Sequence, residues 1–220
     1  MLEHKRYVNN PETTAGYNLD ESDLATRFIY RVAPATSLLI EVRQINSDYQ
    51  LSTSPNTNTD RRLLLGIIWH ANTFTSASFK IGAVRKNFID SDYSNYSGLN
   101  WDGKFNWSPL RTSALELSTT QVCSDSSGEG QYIVNRTFEA DWTHSWSAFA
   151  QSHLNLIQTT SDYYGAVRQD RTTSYSVEAD YLLRRWLKLG VGFTQTRRSS
   201  TQADIPFIRN ILFLNVMGSL

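Results

Sequence analysis

Apolar and polar side chains alternate along almost the whole chain. The pattern is plainest between Thr172 and Ser200. There Tyr175, Val177, Ala179 and Tyr181 interleave with Ser174, Ser176, Glu178 and Asp180. After a polar turn near Arg185, Leu187, Leu189, Val191 and Phe193 interleave with Lys188, Gly190, Gly192 and Thr194. Successive residues of an extended strand point to opposite sides, so each arm has one apolar and one polar face, and the pair predicts a β-hairpin.

The pattern recurs upstream. Leu24 to Val32 sets Phe28, Tyr30 and Val32 against Arg27 and Arg31, and Thr36 to Asp48 sets Leu38, Ile40 and Val42 against Glu41 and Arg43. Asp60 to Trp69 carries Leu63, Leu65, Ile67 and Trp69 on its apolar side, and Ser76 to Phe88 carries Ala77, Phe79, Ile81 and Ala83. Further runs cover Leu99 to Trp107, Thr112 to Val122, Tyr132 to Trp142, Trp146 to Ile157 and Phe207 to Leu220, after a weak first strand at Glu3 to Asn9. Tight turns near Pro34, Asn72, Leu110, His144 and Arg185 predict a hairpin repeat of about 35 to 40 residues. Long polar loops are expected between all of them, so that short turns and long loops alternate without exception.

This pattern predicts an all-β chain of about twelve antiparallel strands and no helix. The strands are typically ten or more residues long, which suits tilted strands crossing a membrane, whereas soluble strands average about five to six. The apolar faces must meet lipid or a second sheet. The reading adopted is an antiparallel transmembrane β-barrel forming one domain over 1–220, either whole or the C-terminal part of a larger barrel.

Composition changes this picture little. A mean hydropathy of -0.41 argues against spanning helices only, because a membrane barrel is polar at every second position. Lys plus Arg equals Asp plus Glu at 21 each, so attraction to nucleic acid is not indicated. The one cysteine, Cys123, excludes an intrachain disulfide and a cysteine metal cluster, and no cofactor or metal is expected. The opening MLEHKRYVNN lacks the apolar core of a secretory signal, so the expectation is that this sequence is the later part of a longer chain.

Charge follows the pleat. Arg43, Arg62, Lys86, Arg198 and Arg209 fall on the polar parity toward the long loops, and Glu116, Glu139, Asp141, Glu178 and Asp180 fall on it toward the short turns. They are the candidate pore-lining residues, a basic outer section and an acidic inner one that would bias passage of anionic solute. Simple pairing of facing charges is the competing account. Trp69, Trp107, Trp142, Trp146, Tyr181 and Trp186 sit beside the short turns, where an interfacial aromatic girdle belongs. Arg61, Arg85, Arg136 and Arg197 lie on the apolar parity at strand ends, within reach of headgroup or lipopolysaccharide phosphates.

Four segments carry a resemblance: Trp107-Ser108-Pro109 read as a turn before Thr112-Ser113-Ala114-Leu115-Glu116-Leu117, the stretch Tyr181 to Gly190, the strand end Arg197-Arg198-Ser199, and Arg209 to Leu214. With these the chain resembles the putative beta-barrel porin 2 family of outer-membrane proteins, which accompany exopolysaccharide and capsule export. The resemblance implies a bacterial outer-membrane porin-like channel for polar polymer, with periplasmic polysaccharide-export components as partners. It carries no catalytic residue. The final Leu220 departs from the terminal Phe of many barrels.

An enzyme is not expected, and no catalytic residue is assigned. A barrel hydrolase remains the alternative, with His153 or the Asp141 and Glu178 carboxylates as its candidates. A soluble β-sandwich that binds carbohydrate is the third reading.

Overall fold

The computed structural model describes residues 2–5, 18–51, 54–126 and 128–218. It contains twelve strands: β1 Leu2–Lys5, β2 Leu19–Ala33, β3 Thr36–Tyr49, β4 Asn58–Asn72, β5 Thr75–Phe88, β6 Tyr96–Leu110, β7 Ser113–Asp125, β8 Tyr132–Ser145, β9 Ala150–Tyr164, β10 Arg168–Arg184, β11 Leu187–Ser200 and β12 Phe207–Gly218. They form one antiparallel sheet in chain order, in which each strand pairs with its sequence neighbours. The sheet is not closed: among the described residues β1 and β12 do not pair. No helix among them is long and apolar enough to cross a membrane.

The strand alternation predicts these elements well, but several ends differ. The first strand is Leu2–Lys5, and the remainder of the expected Glu3 to Asn9 run lies outside the described residues. Ser108-Pro109-Leu110 is not a turn. It ends β6 across a register irregularity between Trp107 and Leu110, a place where proline is tolerated because the ladder is already interrupted. The segment from Trp146 to Phe149 is the β8–β9 connection, and the next strand starts at Ala150. The expected long loop after β9 is only Gly165 to Val167. Gly165 takes a φ of 81° there, a conformation that costs glycine little. Turn and loop lengths therefore do not alternate without exception.

The register fixes which residues share a side. One row across the sheet is Phe28, Ile40, Leu65, Ile81 and Trp101. The neighbouring row on the other side is Arg27, Glu41, Leu64, Gly82 and Asn100. The apolar rows are the exposed ones, with Leu65 57% and Leu214 77% accessible, while Glu41 on the opposite side is 3% accessible. Hydrophobic collapse would normally hide the apolar side. Here no layer among the described residues covers it, and the polar side holds the crowded residues. β2 to β12 run 12 to 17 residues, more than the ~9–11 that a tilted strand needs to cross a bilayer.

At the long-loop end the sheet splits. β6 and β7 pair from Leu110↔Ser113 to Trp101↔Gln121. Beyond that β6 stays with β5 as far as Lys86↔Tyr96, and β7 stays with β8 as far as Asp125↔Tyr132. Gln121 Nε2 donates to the Leu99 carbonyl at 2.6 Å across the parting strands. The released tip of β7 and β8 tucks inside β4 to β6. By the pleat Cys123, Tyr132 and Val134 belong to the outer side, yet they form a buried cluster with Val84, Phe88 and Tyr96 from the inner side of β5 and β6. This cluster is the apolar core of the described residues, with Val84 1% and Cys123 4% accessible.

Candidate functional site

The inner face is the candidate site, and its lower layers are built from hydroxyls and amides. Across β8 to β11 the pleat brings Thr137 to Thr159 at 3.1 Å, Ser174 to Thr196 at 3.1 Å and Ser176 to Thr194 at 2.8 Å. Ser161 donates to Asn135 at 2.6 Å, and Asn106 donates to Ser76 at 3.3 Å. Such groups bond to each other and still offer lone pairs and protons to water or to a hydroxylated solute.

Embedded in this surface are ion pairs, which use many of the candidate pore-lining charges. Among the outer basic residues, Arg43 is bound by Asp23, Arg62 lies 2.6 Å from Asp60, and Lys86 is bound by Asp125. Arg198 donates to Thr172 at 3.2 Å and lies 5.2 Å from the Phe207 ring. Arg209 sits opposite Thr196 on the exposed last strand. Among the inner acidic residues, Glu116 lies 2.7 Å from Lys104 and Asp180 2.6 Å from Lys188, while Asp141 hydrogen-bonds to the His153 ring at 2.6 Å. Glu139 accepts from Asn155 at 2.8 Å and Glu178 accepts from Asn215 at 2.9 Å. The pairing account therefore describes β2 to β7 well. Glu139, Glu178, Arg198 and Arg209 have no oppositely charged partner within ion-pair distance among the described residues.

Another buried charge on this face, Glu41, is not among the sequence-predicted pore-lining residues. Glu41 accepts from Arg27 at 2.6 Å and from Lys80 at 3.5 Å, and its side chain is 4% accessible. Asp23, Asp60 and Asp125 were also missed as partners. Asp60 was legible, since residues two apart share a face. Asp125 was not, because it reaches Lys86 only through the tuck of the tip, where it also accepts from Asn58 at 3.1 Å and from Tyr49 at 3.0 Å. Above this, in the β5–β6 loop, Tyr93 packs edge-on against Phe88 at 5.3 Å, and burial, with the Asp90 charge beside it, raises its phenol above the ordinary value.

The girdle candidates lie at the short-turn end. Trp69, Trp107, Trp146, Tyr181 and Trp186 are exposed there. Trp142 is half-buried, stacks on His144 at 5.5 Å and donates to Ser113 at 2.9 Å. The ring of His153 hydrogen-bonds to Asp141, and among the described residues no hydroxyl or thiol bonds to that ring. Cys123 lies toward the far end of the strands. No group of three or more metal-ligating side chains occurs among the described residues.

No curated protein matches the chain. Among solved structures, the FrpB iron transporter from Neisseria meningitidis (F3-3 variant) aligns at 14% identity and a TM-score of 0.61. That alignment covers 86% of this chain and 37% of the transporter, so the chain spans well under half of its length. The NanC porin aligns at 9% identity and a TM-score of 0.46, over 93% of this chain and 95% of that one. The KdgM porin aligns at 10% identity and 0.34, over 92% of each. At these identities the FrpB likeness speaks to fold, that of a membrane β-barrel wall. The model of the putative beta-barrel porin 2 family matches residues 6–219, nearly the whole sheet with its exposed apolar outside and polar inside, and the chain belongs to that family.

Proposed function

We propose that the chain forms the wall of a bacterial outer-membrane channel that passes a polar polymer, an exopolysaccharide in the first instance, without catalysing a reaction. The observation that carries this reading is the inversion of the sheet. Leu65, Ile81, Val177 and Leu214 are exposed on one side, while Glu41, Asp60 and Asn100 are enclosed on the other. Water would penalise such an outside, and a bilayer stabilises it. The inner surface of hydroxyls and amides supports a hydroxylated cargo, because it can exchange hydrogen bonds with sugar hydroxyls. The exopolysaccharide itself rests on the family's association with export.

Closure belongs to the same proposal. The outer edge of β12 and most of β2 carry unpaired backbone groups among the described residues, and open edges are not tolerated in hydrocarbon. Strands beyond these twelve are expected to join them and complete the wall. The tucked tip of β7 and β8 narrows the outer mouth. Conductance in planar bilayers tests the channel: discrete steps, reduced by millimolar oligosaccharide on one side, are expected. A protein that folds in detergent but never conducts would overturn it. The field argument has its own test, since neutralising Arg62 and Arg198 should shift the reversal potential, and an unchanged value would remove it.

A further inference from the structure

The outer face carries two arginines in direct opposition. Arg61 of β4 and Arg85 of β5 are paired across the ladder, and both are exposed. Like charges directly opposite each other destabilise a sheet. Among the described residues neither has a carboxylate within ion-pair distance. Arg61 Nε donates to Gln44 at 3.2 Å and Arg85 Nε donates to Asn87 at 3.3 Å, neutral acceptors that orient the guanidinium groups and leave their charge uncompensated. Their terminal nitrogens bond to none of the described residues. The pattern contrasts with Arg136, which is also on the outer face but is held by Asp162 at 2.7 Å.

The surroundings say what fits between them. Beside the two arginines in the same row lie Gln44 and Ser97, and the next row toward the loops is Ser22, Asn46, Thr59 and Asn87. That row is pre-linked by Asn46 donating to Ser22 at 3.2 Å and Thr59 donating to Asn46 at 3.1 Å. In the opposite direction the next row is Val42, Leu63, Ala83 and Leu99, the start of the apolar band. A ligand here must be anionic at one level and aliphatic just below it. A guanidinium fork matches the oxygens of a phosphate, and two of them stand at paired positions on neighbouring strands here.

We infer that Arg61 and Arg85 form a docking site for the phosphate of an outer-leaflet membrane lipid, with Gln44 and Asn87 positioning the two forks and the acyl chains lying along Leu63 and Ala83. This rests on the membrane reading above. It singles out one pair as a built site, in place of a general affinity of strand-end arginines for headgroups.

The test uses the full chain folded in neutral detergent, with native mass spectrometry counting bound lipid during titration. Three ligands are compared: a phosphorylated lipid A, the same lipid with its phosphates removed, and inorganic phosphate. The expected result is saturable binding of the phosphorylated lipid, weakened at least about tenfold in R61Q/R85Q, with no comparable binding of the other two. R61K/R85K keeps the charge but loses the forks and should fall between. Folding of each variant is followed by heat-modifiable migration, and the lysine variant carries the test if the glutamine variant does not fold. Equal binding of the dephosphorylated lipid, or wild-type affinity in both variants, would overturn the site. Inorganic phosphate bound as tightly as the lipid would overturn the lipid assignment. Loss of phosphate selectivity in a protein that still inserts and conducts would sink this inference alone, whereas failure to insert would sink it together with the channel.

Discussion

Replacing Leu65 with arginine probes the assignment of inside and outside at its most sensitive point. Leu65 is 57% accessible on the outer face, flanked across the ladder by Ile40 and Ile81. It lies four residues from Arg61 and four from Trp69, the polar edge and the aromatic girdle. At ~3.3 Å per residue that is about 13 Å along the strand in each direction, and with a tilt near ~40° it is roughly 10 Å of depth. The apolar band of a membrane barrel is ~25 Å tall, and Arg near its centre costs about 2 to 4 kcal/mol. Leu65→Arg should therefore lower the folding equilibrium in phospholipid vesicles roughly 30- to 900-fold. Thr120→Arg, on the inner face opposite Asp102 and Thr137, should cost no more than about 0.5 kcal/mol. Reversible unfolding in guanidinium, followed by tryptophan emission, measures both. If the two substitutions cost the same, or if Leu65→Arg is tolerated, the outer face is not in hydrocarbon and the channel reading fails with it.

Other consequences follow from the ion pairs and the girdle. Lys86→Met removes the cation from Asp125; because the Lys86 side chain is 5% accessible, breaking this pair should cost about 3 kcal/mol and free the tucked tip. Cys123, 4% accessible, should then react with a maleimide in folded protein, and continued protection would show that the pair does not hold the tip. Glu41→Gln leaves Arg27 and Lys80 without their shared carboxylate, so the reversal potential should move toward anion selectivity; a shift toward cations would contradict the placement of Glu41 on the inner face. Trp101 sits at mid-band in register with Ile81, so in a Trp101→Phe background the remaining tryptophans should be quenched best by lipid brominated near the headgroup, and strongest quenching by bromine deep in the acyl chain would place the girdle wrongly.

Most of the architecture was legible because a strand's pleat is a local property. Two residues suffice to say that Leu63 and Leu65 share a side and that Arg62 faces away, whatever lies across the ladder. The departures arose where a local rule met a neighbour. Pro109 reads as a turn, yet β5 and β7 carry the strand past it through a register irregularity. Tyr163 and Tyr164 fall in the long loop expected between the runs that end at Ile157 and begin at Thr172, yet β8 holds them in register opposite Ile133 and Tyr132. Neighbouring strands that supply ladder hydrogen bonds override weak turn signals.

By itself, then, the sequence determined the alternation, the approximate number of strands, and the side on which most charges lie, because period two is written in adjacent residues. Only the tertiary structure decided which carboxylate serves which cation, where the sheet parts, and that Asp125 and Cys123 leave the side their parity assigns. Those outcomes depend on strands meeting across long sequence separations, as Lys86 and Asp125 do. At the parting of β6 and β7 the burial of Phe88, Tyr96, Tyr132 and Val134 outweighs continuation of the ladder, a balance that no short stretch of the chain contains.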